Sequence, residues 1–257
     1  MSDGPPLSTP ADLHFRPALL VVVRHGESLH NTIDGHADPE SIRAAVATTP
    51  DHLIPLTARG EAQAVATGRG LLTEFGAFDL IMHSPWLRTT QTAQLILQAF
   101  PSQTLLRRSL FLTEQHFGQL DPALWLDRLD EHAAAYRRFE RQREIVGKFY
   151  CRPPDGESWA DVCIRTHQFL GTLFRAEHQG KKVLVVTHGV TQQSFRYHLE
   201  HPTEEELVEA YQRDPNRNCG IGAYQCLGPG PIGWRLLCWN KRYYADGSAA
   251  ESGSAAS

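Results

Sequence analysis

No apolar run in the 257-residue chain approaches the roughly 20 residues that a bilayer-spanning helix needs. The densest apolar segment, Ala18 to Val23, has the length of a strand. The opening Met-Ser-Asp-Gly-Pro-Pro lacks the basic and apolar regions of a secretory signal. Cysteine is sparse: Cys151, Cys163, Cys219, Cys226 and Cys238 are odd in number and form no CxxC pair. A disulfide framework and a Cys-based zinc site are therefore disfavoured, and the expected setting is a reducing cytoplasm without membrane attachment. Excess positive charge is also missing. Against 29 Asp+Glu stand 25 Lys+Arg, a net charge of -4, so the electrostatic footprint of a nucleic-acid partner is lacking. Lysine supplies only four of those 25 cations and arginine 21. Arginine is suited to bidentate grip on phosphate or carboxylate, yet a GC-rich genome produces the same bias, so position must decide.

What remains is an ordinary globular balance of 41% hydrophobic and 21% charged residues. Residues 1–13 and 246–257 are small and polar and are expected to be flexible tails, with one domain over 14–245. Ala18 to Val23, Asp79 to Met82, Val183 to Val186 and Trp234 to Trp239 read as strands, the first three with the continuous apolar character of buried parallel strands. Helices are expected after Thr57, with Ala62, Val65 and Ala66 on one face, and after Ser84-Pro85, read as N-cap and first helical residue, with Ala93, Ile96, Leu97 and Phe100 inward. Asp121-Pro122 repeats that signal. Ser158 opens a helix bearing Val162, Phe169, Leu170 and Leu173, and Thr203 with Glu206 reads as a capping box. The alternation predicts an α/β fold: a three-layer αβα sandwich around a mostly parallel sheet, with residues 120–154 as a helical insertion over the active-site edge.

In such a sheet functional groups collect where strands end. Val21-Val22-Val23 runs into Arg24-His25-Gly26, and Val183 to Val186 runs into Thr187-His188-Gly189. The glycines allow sharp turns and close ligand approach. Between them, Ser84-Pro85-Trp86-Leu87-Arg88 carries an arginine into the next helix. Two imidazoles and two guanidinium groups suit phosphoryl transfer better than metal chemistry, because guanidinium groups repel a cation but neutralise the oxygens of a transferring phosphoryl group. A neutral imidazole can attack phosphorus, and neighbouring arginines keep it neutral.

These motifs resemble those of the histidine phosphatase superfamily, also called phosphoglycerate mutase-like. Arg24-His25-Gly26 matches its Arg-His-Gly signature, followed by Glu27, Ser28 and Asn31. Ser84 to Ala93 approximates a Ser-x-x-x-Arg-x-x-x-Thr-Ala pattern. Glu114-Gln115-His116-Phe117-Gly118 matches an acid-bearing Glu-x-x-(Tyr/Phe)-Gly pattern, and Gly156-Glu157-Ser158, Asp161, Arg165 and Thr187-His188-Gly189 follow in family order. The resemblance implies His25 as nucleophile, with Arg24, Arg88 and His188 around the phosphoryl group. It implies Asn31 as a hydrogen-bond donor to a phosphate oxygen and Glu114 as acid and then base, a role that calls for partial burial. No cofactor or metal is implied. Ser28 could contact phosphate or cap the next segment.

Departures from the mutase pattern lean the reading toward a phosphatase acting on a phosphorylated small molecule. Mutase members carry Tyr where Phe117 stands and Asn where Val190 stands. Their basic lid is not recognisable, and Arg137, Arg138, Arg141 and Arg143 read as solvated helix surface. The closer resemblance is to a phosphatase-like branch with a Phe-Tyr-Arg-x-Pro-x-Gly-Glu-Ser pattern, approximated by Phe149 to Ser158. A mutase and a non-catalytic phospholigand-binding protein are the alternatives. His198 and His201 have the spacing of a metal pair, but Pro202 follows and no third ligand is evident. Asp51-His52 reads as an exposed loop pair that could border the pocket, and the Trp and Phe residues read as core. The loops Thr32 to Pro55 and Leu120 to Pro154 are expected to set specificity. No sequence feature sets an oligomeric state.

Overall fold

The computed structural model describes residues 15–35, 48–121, 129–228 and 233–245. Both expected tails and the Asp121-Pro122 helix start, apart from Asp121 itself, lie outside these residues. Among the described residues six strands form one sheet: β1 (Leu19–Arg24), β2 (Leu80–His83), β3 (Leu105–Arg108), β4 (Lys182–Thr187), β5 (Ile221–Cys226) and β6 (Trp234–Lys241). Their order is β3-β2-β4-β1-β5-β6. The ladders among β3, β2, β4 and β1 are parallel, and β5 runs antiparallel to both β1 and β6.

Among the described residues six α-helices flank the sheet: α1 (Ala58–Phe75), α2 (Leu87–Leu97), α3 (Leu129–Val146), α4 (Trp159–Leu173), α5 (Gly189–Glu200) and α6 (Glu204–Arg213). Side chains alternate across each strand, so each face collects its own core. Leu20 and Val22 of β1 join Val183 and Val185 of β4 beneath Phe169, Leu170 and Leu173 of α4 and Phe195 and Leu199 of α5. Val21, Val23, Leu184 and Val186 face the opposite way, toward Leu71 of α1 and Ala93 and Ile96 of α2. The expected three-layer arrangement is therefore present. The chain leaves β1 toward α1 on one face and leaves β4 toward α5 on the other. Adjacent strands whose connections part to opposite faces open a crevice at their carboxyl ends.

Several expectations change in detail. Strands β3 and β5 lack the unbroken apolar run that marks β1 and β4: β3 reads Leu-Leu-Arg-Arg on a largely exposed edge, and β5 contains Gly222 and Gln225. On α1 the buried face is Gly60, Gln63, Ala64, Thr67, Gly68 and Leu71, while Ala62 is exposed. Small and polar residues line it because α1 lies close against α2: a Cβ on Gly68 would stand 2.8 Å from the Ile96 carbonyl. Helix α2 begins at Leu87 with Trp86 as its cap residue, so Ser84 and Pro85 precede the helix rather than start it. The capping boxes of Ser158 with Asp161 and Thr203 with Glu206 form as expected. Within the expected insertion, α3 packs Phe139 on Leu120 and Cys151, and Arg137, Arg138 and Arg141 are exposed. Among the described residues no helix is long and apolar enough to cross a membrane.

Candidate active site

The register Arg24↔Thr187 brings the ends of β1 and β4 side by side, and the His25 amide bonds the Thr187 carbonyl at 2.9 Å. The rings of His25 and His188 consequently lie 5.2 Å apart, both buried. His25 Nδ1 sits 2.7 Å from the Gly26 carbonyl, a contact only a protonated Nδ1 can make. The lone pair is then on Nε2, where Arg88 Nε donates to it at 3.3 Å. Arg88 is 4% exposed and its Nη1 donates to the Asp51 carbonyl and to Asp51 Oδ1 at 2.7 and 2.9 Å. Its guanidinium lies over the Trp86 ring at 4.6 Å.

Burial, followed by the charges of Arg88 and Arg24, holds His25 well below the usual imidazole value of 6.5. Burial, Arg88 and His25 do the same for His188. Both rings are thus neutral when the site is empty of anion. Ser84 Oγ meets His188 Nε2 at 2.9 Å, which fixes the ring and explains why Ser84 is buried at the end of β2. His188 Nδ1 and Arg24 Nε are buried and have no hydrogen-bond partner among the described residues. Unpaired polar atoms in a cationic pocket carry a desolvation cost that an anion with several acceptor oxygens removes.

Glu114 follows β3 and faces the first turn of α5. Its Oε1 accepts from the amides of Gln115, Val190 and Thr191 at 3.0, 3.2 and 3.3 Å, and Oε2 lies 3.3 Å from the Val190 amide. The carboxylate thereby caps a helix whose own cap residue, His188, supplies no side-chain bond. It is partly buried, as expected, and borders Arg24 beside Gly189. Asn31 is exposed, and its Oδ1 accepts from Ser28 N and Oγ and from Asn218 Nδ2, which leaves Nδ2 as the atom able to donate. Ser28 is buried, directly precedes the 3-10 turn Leu29–Gly35, and its hydroxyl donates to Asn31 Oδ1.

The structure therefore brings His25, Arg24, Arg88, His188 and Glu114 together and sets Asn31 beside them through Asn218, which also bonds the His25 carbonyl. Three participants were not foreseen: Trp86, Asn216 and Asn218. Asp51 and His52, read as a loop pair that could border the pocket, do line the cavity beside it; His52 is exposed as expected, whereas Asp51 is partly buried as the ion-pair partner of Arg88. Trp86 is wedged between Arg88 and His188, 4.8 Å from the latter ring, rather than lying in a sheet core. Asn216 accepts from Arg24 Nη1 through its carbonyl and has no motif around it; its signal is the Asn-rich turn before β5. His198, by contrast, bonds the Cys163 carbonyl at 2.7 Å, so it is held structurally. Among the described residues no three His, Cys, Asp or Glu side chains converge as a metal site.

A cavity of about 440 Å³ opens beside Asp51 and Trp86 and extends between the Thr49 to Ile54 segment and the Gln115 to Gly118 loop. His25 does not line it; Trp86 is the shared wall between the cavity and the buried cluster.

Known proteins are similar to this chain in sequence and in fold. Among curated relatives, a phosphoglycerate mutase-like protein of Arabidopsis thaliana, AT74H, is 31% identical over 200 residues, 70% of this chain and 64% of the relative. A 2,3-bisphosphoglycerate-dependent phosphoglycerate mutase of Methylobacterium radiotolerans is 31% identical over 197 residues, 74% of this chain and 83% of the relative. Among solved structures, an alpha-ribazole phosphatase of Shigella flexneri superposes with a TM-score of 0.62 at 24% identity, over 87% of this chain and 96% of that one. A mycobacterial glucosyl-3-phosphoglycerate phosphatase does so with a TM-score of 0.61 at 22% identity, over 87% and 99%. These last two likenesses concern the fold. The paired strand-end histidines thus lie inside a match to the histidine phosphatase superfamily (branch 1) that runs from residue 20 to residue 241, and the chain belongs to that superfamily.

Proposed function

We propose that the protein is a phosphomonoesterase that hydrolyses a phosphorylated small molecule through a phosphohistidine on His25, without a metal. The observation that carries this reading is the fixed tautomer of His25: Nδ1 is tied to Gly26 and the Nε2 lone pair is directed toward Arg88. In the first step Nε2 attacks phosphorus and the ester P–O bond breaks. Arg24, Arg88, His188 and the Asn31 amide balance charge on the phosphoryl oxygens, and Glu114 gives its proton to the departing alkoxide. In the second step Glu114 takes a proton from water, the water oxygen attacks phosphorus, and the P–N bond breaks. Inorganic phosphate and neutral His25 result.

Mutase activity is the second reading, favoured by the names of relatives near 31% identity. Phe117 and Val190 stand against it, since both occupy positions where the mutase pattern is polar. A non-catalytic phosphoester binder is a weaker third, because binding has no use for a carboxylate beside the two imidazoles.

Rapid mixing with substrate and an alkaline quench should trap acid-labile phosphate on the peptide containing His25. His25→Ala should abolish both the trapped phosphate and turnover; retention of more than a few per cent of the rate excludes the covalent route. EDTA should leave activity unchanged, whereas orthovanadate, which adopts five-coordinate geometry, should compete with substrate. Assaying phosphate release and phosphoglycerate isomerisation in parallel separates hydrolysis from transfer.

A further inference from the structure

Glu114 stands in a stretch with no regular structure of its own: residues 113–117 separate the short 3-10 turns Leu110–Leu112 and Gly118–Leu120. Its carboxylate is tied to α5, but the course of its backbone is set by groups outside the stretch. One ion pair reaches both sides of it. Arg165 meets the Glu157 carboxylate in a fork, Nε to Oε1 at 2.9 Å and Nη2 to Oε2 at 3.2 Å, with side chains 13% and 21% exposed. Arg165 Nη1 donates to the Phe111 carbonyl at 2.9 Å, three residues before Glu114. Glu157 Oε2 accepts from the His116 amide at 3.0 Å, two residues after it. Upstream, the hydroxyls of Thr187 and Thr191 also hold the Leu112 and Thr113 carbonyls, at 2.8 and 2.6 Å. Downstream, among the described residues, the hydrogen bonds of Gln115 and His116 beyond the stretch all run to Glu157: its amide donates to the His116 carbonyl at 2.8 Å, and its carbonyl accepts from Gln115 Nε2 at 2.5 Å. The two segments meet backbone to backbone, since a Cβ on Gly156 would stand 2.5 Å from the His116 carbonyl oxygen.

Arg165 is itself fixed, because it lies on α4, whose Phe169, Leu170 and Leu173 are in the core. Among the described residues the two side chains bond each other, Phe111 and His116, and none of the residues placed around the phosphoryl group. A bidentate guanidinium–carboxylate fork holds direction as well as distance. A proton donor needs both, since transfer requires heavy-atom reach of about 2.6–3.2 Å and a misplacement of about 1 Å can cost 10²-fold. We infer that Glu157 and Arg165 are positioning residues for Glu114: their fork, bridging Phe111 and His116, sets how far the acid reaches toward the leaving oxygen. This rests on the phosphatase reading, with Glu114 as its acid, and deepens it.

Single-turnover phosphorylation of His25, measured on the full chain with glycerol 1-phosphate and with para-nitrophenyl phosphate, tests the inference. Arg165→Met keeps the aliphatic stem and removes the fork. It should slow phosphorylation by glycerol 1-phosphate at least about tenfold and by para-nitrophenyl phosphate less than about threefold, because only the alkoxide needs the proton. Glu157→Gln, which keeps an acceptor for the His116 amide, should move the same ratio in the same direction by at least about threefold. Each ratio is taken within one variant, so a partly unfolded preparation does not alter it. In a Glu114→Gln background Arg165→Met should cost less than about threefold on either substrate, since no acid is left to position. Arg165 is also among the charges that, after burial, Arg88 and His25, hold His188 low, and an effect exerted there would persist in that background. Equal losses on the two substrates, or losses that multiply in the double variant, overturn the inference, while a trapped phosphohistidine and a leaving-group-dependent loss in Glu114→Gln alone uphold the hydrolase and its acid. Equal losses in Glu114→Gln alone overturn the acid and the inference together. No phosphohistidine from either substrate on the unsubstituted protein overturns the covalent route and, with it, the inference.

Discussion

Glu114 holds the first turn of α5 and, in the proposed mechanism, also serves as the acid, and a single substitution can separate the two roles. Its carboxylate accepts from the amides of Gln115, Val190 and Thr191, while the proposed acid must protonate a leaving oxygen. Glu114→Gln keeps a carbonyl acceptor for the helix and removes the ionisable proton, so it tests the chemistry with less damage than Ala. General acid catalysis is worth roughly 10²- to 10⁴-fold. Single-turnover phosphorylation should fall by about that factor on an alkyl phosphate and far less on para-nitrophenyl phosphate, whose anion departs unaided. Equal losses on both would assign Glu114 to the helix alone. Asp51→Asn is the companion test: Arg88 loses its ionic partner but keeps the Asp51 carbonyl, and kcat/KM should drop about tenfold with KM rising for every phosphoester alike. The five central residues were legible because each follows a strong local signal, a Val-rich strand or a motif in order. Asp51 was legible only as a residue that could border the pocket, and Trp86 and Asn216 were not legible, since each acts on a residue at least one element away: Asp51 on Arg88 across 37 positions, Asn216 on Arg24 across 192.

Helix α1 is locked to the strand that precedes it by two glycines facing each other. A Cβ on Gly26 would stand 2.4 Å from the Gly60 carbonyl oxygen, and one on Gly60 would stand 2.0 Å from the Glu27 carbonyl oxygen. Backbone cannot yield as a side chain does, so Gly26→Ala and Gly60→Ala should each cost at least about 2–3 kcal/mol, at the upper end of overpacking effects. Urea unfolding reads this as a lower midpoint at unchanged slope. The sequence rationale for Gly26 was freedom to turn and room for ligand; the structure adds contact with a second backbone, which no local pattern encodes. The same distinction governs the elements. Strands β1, β2 and β4 are buried on both faces and announce themselves as apolar runs, whereas β3 lies on an edge and β5 is interrupted by Gly222 and Gln225. Their placement is imposed by neighbours: β3 by β2, and β5 by pairing with β1. Ser84-Pro85 looked like a helix start because the residue types fit one, but the hydroxyl is used by His188.

For the molecule as a whole, neutral buried histidines make stability depend on pH in a window above the usual carboxylate range. His25 and His188 are held well below 6.5 in the fold and return to about 6.5 when unfolded. The unfolded chain therefore binds more protons as pH falls, so their contribution is full above about pH 6.5 and is lost progressively below it. Each histidine that stays neutral while folded gives a slope of about 1.4 kcal/mol per pH unit. Unfolding free energy should thus begin to decline near pH 6.5. Orthophosphate should blunt the decline, because a bound anion pairs with a protonated His188; a flat profile from pH 7 to 5 would contradict the neutral-imidazole site. The spacing of His25 and His188 is set by the hydrogen-bonded register of two central strands, Arg24 beside Thr187, with no loop intervening. On gradual heating, catalytic competence and secondary structure should disappear in a single transition, with no preceding inactive but folded state. Circular dichroism and residual rate, followed along the same ramp, should trace superimposable curves.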